Sequence, residues 1–279
     1  MATPQDCCLS TTLHPGSPTG EAITMRLASQ HSESVTSTVQ AYKAGASSTT
    51  CVLLVPDLLG WTYPNTRLLA DFYAARLPAT VYVPDLFAGE VLDREAVDAG
   101  RWGDIDLPGF LARHSRANRD AIIVALAWTL RSPESGYRHL FAVGFCYGAW
   151  AALRLGALSA AEAGQEQDDR SLVDAVSIGH PSLVTRDDFS EISVPLQVLA
   201  VERDPVFTPE LKLYAFETVP TRGLPFDYQY FPGVEHGSLI RGDPGRQGER
   251  EAMERAKRAV VAWFSEFTKA STEDNAKHS

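Results

Sequence analysis

The sequence predicts an α/β fold, in which a mainly parallel, doubly wound sheet carries helices on both faces. Short apolar runs rich in β-branched residues alternate with longer segments whose apolar residues recur at helical spacing. This alternation is typical of parallel sheets, in which a helical crossover joins each strand to the next. The chain has 279 residues, 44% of them hydrophobic and 22% charged, so one large domain can bury a substantial core. We therefore expect residues 1–279 to form a single domain.

Residues 1–50 are predicted to form an irregular N-terminal arm. They are rich in Ser, Thr, Gly and Pro, and only 22–27 and 39–42 alternate weakly between polar and apolar residues. These two segments are candidates for short antiparallel strands.

The next part of the chain supplies the first buried strands and their helices. Residues 51–57 and 80–85 are continuous apolar runs, as expected for strands covered on both faces. Helical stripes of apolar residues predict helices over 64–77 and 116–131.

Residues 86–115 show little periodicity and contain several glycines. A connection of this length inside a compact domain is usually functional or disordered, so we predict an active-site loop or cap. Trp102 and Phe110 in this segment could line an apolar pocket or pack into the core.

The second half of the chain continues the alternation and ends in a long amphipathic helix. The predicted elements are strands over 140–143, 173–178, 196–201 and 226–231, helices that begin near Ala149 and Thr208, a closing helix over 248–269 and a disordered polar tail over 270–279.

Composition and charge exclude several classes of function. The formal net charge of −10 opposes binding to nucleic acid and to anionic membranes. The four cysteines are too few for a disulfide framework and lack zinc-ligand spacing, and no apolar stretch is long enough to cross a bilayer. We therefore expect a cytoplasmic monomer or homodimer with free thiols, without metal or cofactor, that acts on a small molecule.

The most informative motif is the G-x-C-x-G sequence of residues 144–148, between an apolar run and a helix-forming stretch. In α/β-hydrolases, the G-x-S-x-G form of this junction is the nucleophile elbow, a tight turn that raises one side chain above the sheet. Flanking glycines let the strand and the helix approach without Cβ clashes. The motif therefore predicts an α/β-hydrolase fold with the Cys146 thiol as nucleophile.

Two further reactive side chains follow strands, in the order that α/β-hydrolases use. Asp204 follows the strand 196–201 and His236 follows 226–231, so both are expected beside Cys146 at the carboxyl edge of the sheet. In such a triad the imidazole takes the thiol proton, and the carboxylate fixes the imidazole tautomer.

The nucleophile and the oxyanion each need partners. A thiol with an ordinary pKa of about 8.5 is mostly protonated at neutral pH, so Cys146 requires a base or a positive neighbour. The backbone amide of Tyr147, directly after the nucleophile, and that of Leu58, after the first buried strand, are expected to hold the oxyanion.

Each of these residues also has a purely structural interpretation. Cys146 could be an inert buried thiol, and His236 could be a loop histidine that caps a turn. Asp204 could serve only turn chemistry, with Glu202 as its rival for the acid role, and Asp57 could be an N-cap. The position of all four residues at strand ends, in hydrolase order, favours the catalytic interpretation.

Together these residues resemble the dienelactone hydrolase family, in particular its eukaryotic, fungal-type branch. The resemblance covers most of the chain and is carried by short motifs: Cys7-Cys8-Leu9, Leu13-His14-Pro15-Gly16, Pro18-Thr19-Gly20, Val55-Pro56-Asp57-Leu58-Leu59-Gly60-Trp61, Val83-Pro84-Asp85-Leu86-Phe87-Ala88-Gly89, Gly144-Phe145-Cys146-Tyr147-Gly148-Ala149, His180-Pro181-Ser182 and His236-Gly237-Ser238-Leu239-Ile240-Arg241-Gly242.

The resemblance implies that Cys146, His236 and Asp204 form the catalytic triad. It also implies that Asp57 corresponds to the strand-end acid, a glutamate in bacterial members, which holds the resting thiol system until substrate displaces it. Asp57, Trp61 and Arg241 are expected to bind substrate or to gate the site.

Two departures from the bacterial pattern bear on the substrate. Bacterial members place a carboxylate-binding arginine directly after their Pro-Asp-Leu-Tyr-Ala motif, where this chain has Gly89. Their second arginine lies four residues after the histidine, whereas Arg241 lies five residues after His236. With one cationic clamp missing, a small dienelactone carboxylate is a poor match for the site.

The sequence thus predicts a cofactor-free hydrolase of a lactone or ester, with polyketide-like natural products among the candidate substrates. One alternative uses the same pocket for non-hydrolytic cyclisation, isomerisation or dehydration, with His236 or Asp57 as proton carrier. A second alternative is a catalytically inactive, ligand-binding hydrolase fold. It is disfavoured because all three triad residue types are present.

Overall fold

A computed structural model of the chain describes residues 11–27, 37–158 and 171–276, with side chains described as far as Thr268. Its strands are β1 Glu21–Arg26, β2 Thr38–Ala44, β3 Thr50–Val55, β4 Thr80–Pro84, β5 His139–Phe145, β6 Ala175–Gly179, β7 Leu196–Arg203 and β8 Phe226–Glu235. They form one sheet in the order β1-β2-β4-β3-β5-β6-β7-β8. Strand β2 pairs antiparallel with β1 and β4, and every other neighbouring pair is parallel.

Helices cover both faces of this sheet, which confirms the predicted doubly wound α/β fold. They are α1 Pro64–Arg76, α2 Arg94–Asp98, α3 Leu107–Arg113, α4 Arg116–Arg131, α5 Gly148–Ala157, α6 Arg186–Ser190, α7 Pro209–Thr218, α8 Ser238–Arg241 and α9 Gln247–Ala276, with 3-10 turns at Trp102–Asp104, Pro133–Ser135 and Val219–Arg222.

The central strands read as continuous apolar runs because each of their faces packs against a separate core. Successive side chains of a strand point to opposite faces. In β5, Leu140 and Ala142 therefore join the core formed with α4 and α5, whereas Phe141 and Val143 join the core formed with α1 and α9. Phe141 stacks on Phe264 of α9 with ring centroids 4.6 Å apart.

Residues 86–115, predicted as an active-site loop or cap, contain short elements of regular structure. They contain α2, a 3-10 turn and α3, and both Trp102 and Phe110 are buried in the core. The helices have only five and seven residues, too few for an apolar stripe to repeat. Their N-caps are specific: Asp93 accepts a hydrogen bond from the Ala96 amide, and Asp106 accepts one from the Gly109 amide, each at 3.0 Å.

The two ends of the chain differ in how well the sequence predicts them. Strands β1 and β2 lie on the two alternating segments of the N-terminal arm. Helix α9 continues to Ala276, so 270–276 are helical rather than disordered, since a helix that has already formed extends at little cost per residue. Residues 1–10, 28–36 and 277–279, and with them the Cys7-Cys8-Leu9 motif, lie outside the described residues.

The described part of the chain contains neither a candidate membrane span nor a candidate metal cluster. None of its helices combines the length and the apolar composition needed to cross a bilayer. Within the same residues, no group of three or more His, Cys, Asp and Glu side chains is arranged to hold a metal ion.

Candidate active site

Cys146 occupies a sharp turn between β5 and α5, as the elbow motif predicts. Its φ is +50°, in the left-handed region that residues other than glycine rarely adopt. A Cβ on Gly144 would lie 2.2 Å from the carbonyl oxygen of Gly148, and a Cβ on Gly148 would lie 2.2 Å from that of Val55. Both positions therefore require glycine, because the strand, the turn and the helix meet here at backbone contact distance.

His236 and Asp204 meet at the carboxyl edge of the sheet. His236 Nδ1 lies 3.0 Å from each carboxylate oxygen of Asp204. Asp204 Oδ1 also accepts hydrogen bonds from the amides of Val206 and Phe207, so this aspartate organises its turn as well as the imidazole. Its rival Glu202 is exposed and instead accepts a hydrogen bond from the Gly233 amide.

The side chains of Cys146, His236 and Asp204 are buried together. Burial by itself lowers the pKa of His236, but the neighbouring Cys146 and Asp204 side chains outweigh it and raise this pKa to about 9. A raised imidazole pKa beside a thiol favours proton transfer from sulfur to Nε2. The two side chains that raise the pKa of His236 are therefore the two that the sequence predicts beside it.

Asp57 forms a buried ion pair with Arg241. Arg241 Nε lies 2.9 Å from Asp57 Oδ2, and both side chains are nearly inaccessible to solvent. Asp57 Oδ1 accepts a hydrogen bond from the Leu59 amide at 2.9 Å, so this residue organises the turn after β3 and is not the N-cap of a helix. Burial raises the pKa of Asp57, and the positive charges of Arg241 and His236 oppose that rise. The structure thus places Asp57 within electrostatic reach of the triad, with its charge balanced by Arg241.

The amides of Leu58 and Tyr147, which are predicted to hold the oxyanion, lie in turns in which neighbouring amides donate hydrogen bonds. Beside Leu58, the amides of Leu59 and Gly60 both donate to Asp57. Among the described residues, no acceptor is found for the amides of Leu58 and Tyr147. These two N–H groups therefore remain available to a ligand.

Tyr147 is fixed by its own side chain. Its hydroxyl donates to the carbonyl oxygen of His114, and its ring packs against Phe87 with centroids 5.0 Å apart. Because Phe87 in turn packs against Phe110 of α3, the segment 86–115 supports the turn that carries the Tyr147 amide.

The contacts described for Trp61 are with the core and with Arg67. It packs with the α1 and α9 core, and the Arg67 guanidinium lies 4.9 Å from its ring centroid. The backbone carbonyl of Trp61 accepts a hydrogen bond from Arg67 Nε at 2.9 Å. None of the contacts described for Trp61 involves a triad residue.

Two residues that sequence reasoning did not assign to the site follow β6. Ser182 Oγ lies 3.4 Å from Cys146 Sγ and 3.3 Å from His236 Nε2. The buried ring of His180 packs edge-to-face on His236 with centroids 4.9 Å apart, and burial lowers the pKa of His180 well below its ordinary value. A signal existed, since both residues lie within four residues of the end of the predicted strand 173–178.

Known proteins resemble this chain in sequence and in fold. The sequence pattern of the dienelactone hydrolase family matches residues 36–268. The chain is 27% identical to the hydrolase pyvD of Aspergillus violaceofuscus over 267 residues, which cover 95% of this chain and 98% of that protein. It is 26% identical to the hydrolase tropI of Talaromyces stipitatus over 268 residues, covering 95% and 97% of the two chains. Among solved structures, a thermophilic esterase of Thermogutta terrifontis shares the fold, with a TM-score of 0.60 at 16% identity over 90% of this chain and 97% of that one.

Proposed function

The chain belongs to the dienelactone hydrolase family and is a hydrolase of that type, and we propose that it cleaves a lactone or carboxylic ester through a Cys146 nucleophile. The observation that carries this proposal is the alignment of Asp204, His236 and Cys146 at a nucleophile elbow, with His236 Nδ1 bonded to both carboxylate oxygens. This arrangement matches nucleophilic acyl transfer, in which a base activates the nucleophile and an acid orients the base.

The reaction begins from the thiolate. Cys146 Sγ attacks the substrate carbonyl carbon, and the amides of Leu58 and Tyr147 bind the developing oxyanion. The imidazolium of His236 then donates its Nε2 proton to the departing alkoxide, and a thioester remains on Cys146. In the second half, neutral His236 takes a proton from water, which attacks the thioester and releases the acid. No metal or cofactor is required by these steps.

We further propose that the substrate is larger and less charged than a dienelactone carboxylate, with polyketide-like lactones and esters as the class to test. Gly89, at the place of the bacterial arginine, has a φ of +83°. Its amide donates to Asp85 at 2.6 Å. This backbone conformation disfavours a side chain, so a carboxylate clamp is not expected at this position. A reducing compartment such as the cytoplasm suits the mechanism, because the nucleophile must stay a free thiol.

The test is turnover of a panel of lactones and esters by the wild type and by the Cys146→Ala variant. Turnover and iodoacetamide sensitivity are expected to disappear in Cys146→Ala, and an acyl adduct on Cys146 should be detectable by mass spectrometry with slow substrates. Cys51→Ala is the matched control, since Cys51 is a buried thiol of β3, and it should retain activity. A folded Cys146→Ala variant with undiminished turnover would refute the proposal. If His236→Ala were then inactive, the non-hydrolytic alternative would be favoured.

A further inference from the structure

The Ser182 hydroxyl lies close to both of the atoms that must exchange a proton. Ser182 Oγ is 3.4 Å from Cys146 Sγ and 3.3 Å from His236 Nε2. On the other side of the ring, Nδ1 is held by Asp204. The imidazole is therefore contacted by a carboxylate at one nitrogen and by a hydroxyl at the other.

The backbone around Ser182 is held in place by hydrogen bonds to neighbouring elements. The Ser182 amide donates to the carbonyl oxygen of Cys146 at 2.9 Å, which ties this residue directly to the elbow. One residue further on, Arg116 Nη1 donates to the Leu183 carbonyl at 2.9 Å. Arg116 also forms a bidentate ion pair with Asp188 of α6, at 2.6 and 2.7 Å.

The residues that follow β6 also have an unfavourable backbone conformation. His180 and Leu183 have φ values of +33° and +58°. Backbone strain of this kind persists only where surrounding contacts determine the conformation, and it concentrates at functional sites. The position of the Ser182 hydroxyl is therefore imposed by the fold rather than chosen by a mobile surface loop.

A hydroxyl in this position interacts differently with the two protonation states of the Cys146 and His236 side chains. It has one proton to donate and two lone pairs that accept. With His236 as imidazolium, Nε2–H donates to Ser182 Oγ, and the Ser182 hydroxyl can donate to the thiolate. With a neutral thiol and imidazole, the thiol can donate to Ser182 Oγ and the hydroxyl to Nε2, but both hydrogen bonds lose their charge assistance.

We propose that Ser182 is a positioning residue whose hydroxyl stabilises the Cys146 thiolate and the His236 imidazolium as a pair, and so increases the fraction of reactive thiolate at neutral pH. The proton that leaves Sγ resides on Nε2, and Ser182 keeps its own proton throughout. This inference rests on the proposed function only in taking Cys146 as the nucleophile.

The test is the pH dependence of Cys146 alkylation by iodoacetamide, followed by peptide mass spectrometry without any substrate. Ser182→Ala should raise the midpoint of the alkylation profile by about one pH unit and slow alkylation about tenfold below it, because a hydrogen bond to a charged group is lost. Ser190→Ala is the matched control, since the Ser190 hydroxyl bonds only to the Asp187 carbonyl in the nearby helix α6. Its midpoint should not move.

A second pair of variants separates the effect of the Ser182 hydroxyl from the effect of side-chain packing at this position. Ser182→Thr and Ser182→Val have nearly the same shape, so any strain from the added methyl group is common to both. Ser182→Thr should keep a midpoint near that of the wild type, whereas Ser182→Val should shift like Ser182→Ala. Equal midpoints in these two variants, or an unmoved midpoint in Ser182→Ala, would overturn the proposal. Failure of the hydrolase mechanism would appear separately, as turnover that survives in Cys146→Ala.

Discussion

Among single residues, Asp204 joins Cys146 in helping His236 to remain protonated, through its hydrogen bond and its charge. The imidazole is buried, and burial alone would favour its neutral form. With Cys146 and Asp204 beside it, its pKa rises to about 9. The imidazolium that protonates the leaving group therefore persists up to about pH 9, and activity should fall above that pH as the proton is lost.

The Asp204→Asn substitution should remove this charge with little change in shape. The loss of the Asp204 charge and hydrogen bond lowers the pKa of His236, so the alkaline limb of the kcat profile should move to lower pH. We also expect kcat to fall by roughly 10³–10⁴-fold, since an amide no longer fixes the productive tautomer. The measurement is kcat against pH, with Glu202→Gln as control, because Glu202 is exposed and bonds to the Gly233 amide instead. An alkaline limb that stays in place would contradict the role of Asp204.

Residue-level prediction from the sequence succeeded where one rule sufficed. Cys146, Asp204 and His236 each follow a strand, and parallel strands bring their carboxyl ends to one edge. The same rule covers Ser182, but a serine three residues beyond a strand is also ordinary turn chemistry, and no spacing distinguishes the two. The pairing of Asp57 with Arg241 depends on how side chains from distant elements pack, which local sequence does not encode.

At the scale of elements, the elbow depends on two glycines that allow backbone contact. Gly144→Ala and Gly148→Ala should each introduce a Cβ 2.2 Å from a carbonyl oxygen. We expect each to lower the free energy of unfolding by about 2–3 kcal/mol and to reduce kcat, because the strand and the helix must separate around Cys146. Urea denaturation measures the first effect and steady-state kinetics the second.

Gly103→Ala is the matched control for these two substitutions. A Cβ at Gly103 meets no atom within 4 Å, and this glycine lies in a 3-10 turn of the segment 86–115. Its free energy of unfolding should stay within about 0.5 kcal/mol of the wild type. If the elbow variants were as stable and as active as this control, the close-contact interpretation of the elbow would be wrong.

The sequence predicted the long or buried strands and helices better than the short ones. Strands β3 to β8 appear as apolar runs, and α4 is long enough for its apolar stripe to repeat. Helices α2 and α3 were not predicted because they have only five and seven residues. Their capping aspartates also resemble ordinary loop residues. The extension of α9 past residue 269 was missed because polar residues carry no stripe there.

On the scale of the whole molecule, the sheet separates the sources of stability from the site of chemistry. Reactive groups lie at the carboxyl edge, whereas the two cores cover the faces along the length of the strands. Phe141 precedes Cys146 by five residues of β5 and its elbow, or about 16 Å along an extended strand. Damage to the core at Phe141 should therefore weaken the fold without altering the ionisation of the nucleophile.

The Phe264→Ala substitution tests this separation. Phe264 is fully buried and stacks on Phe141, so its loss should lower the free energy of unfolding by about 3–5 kcal/mol. Phe267→Ala, at a partly buried neighbour in the same helix, should cost less. Below the unfolding transition, both variants should keep the wild-type pH midpoint of Cys146 alkylation. A shifted midpoint in Phe264→Ala alone would mean that packing under the sheet reaches the elbow through β5, and that core and site are coupled rather than separate.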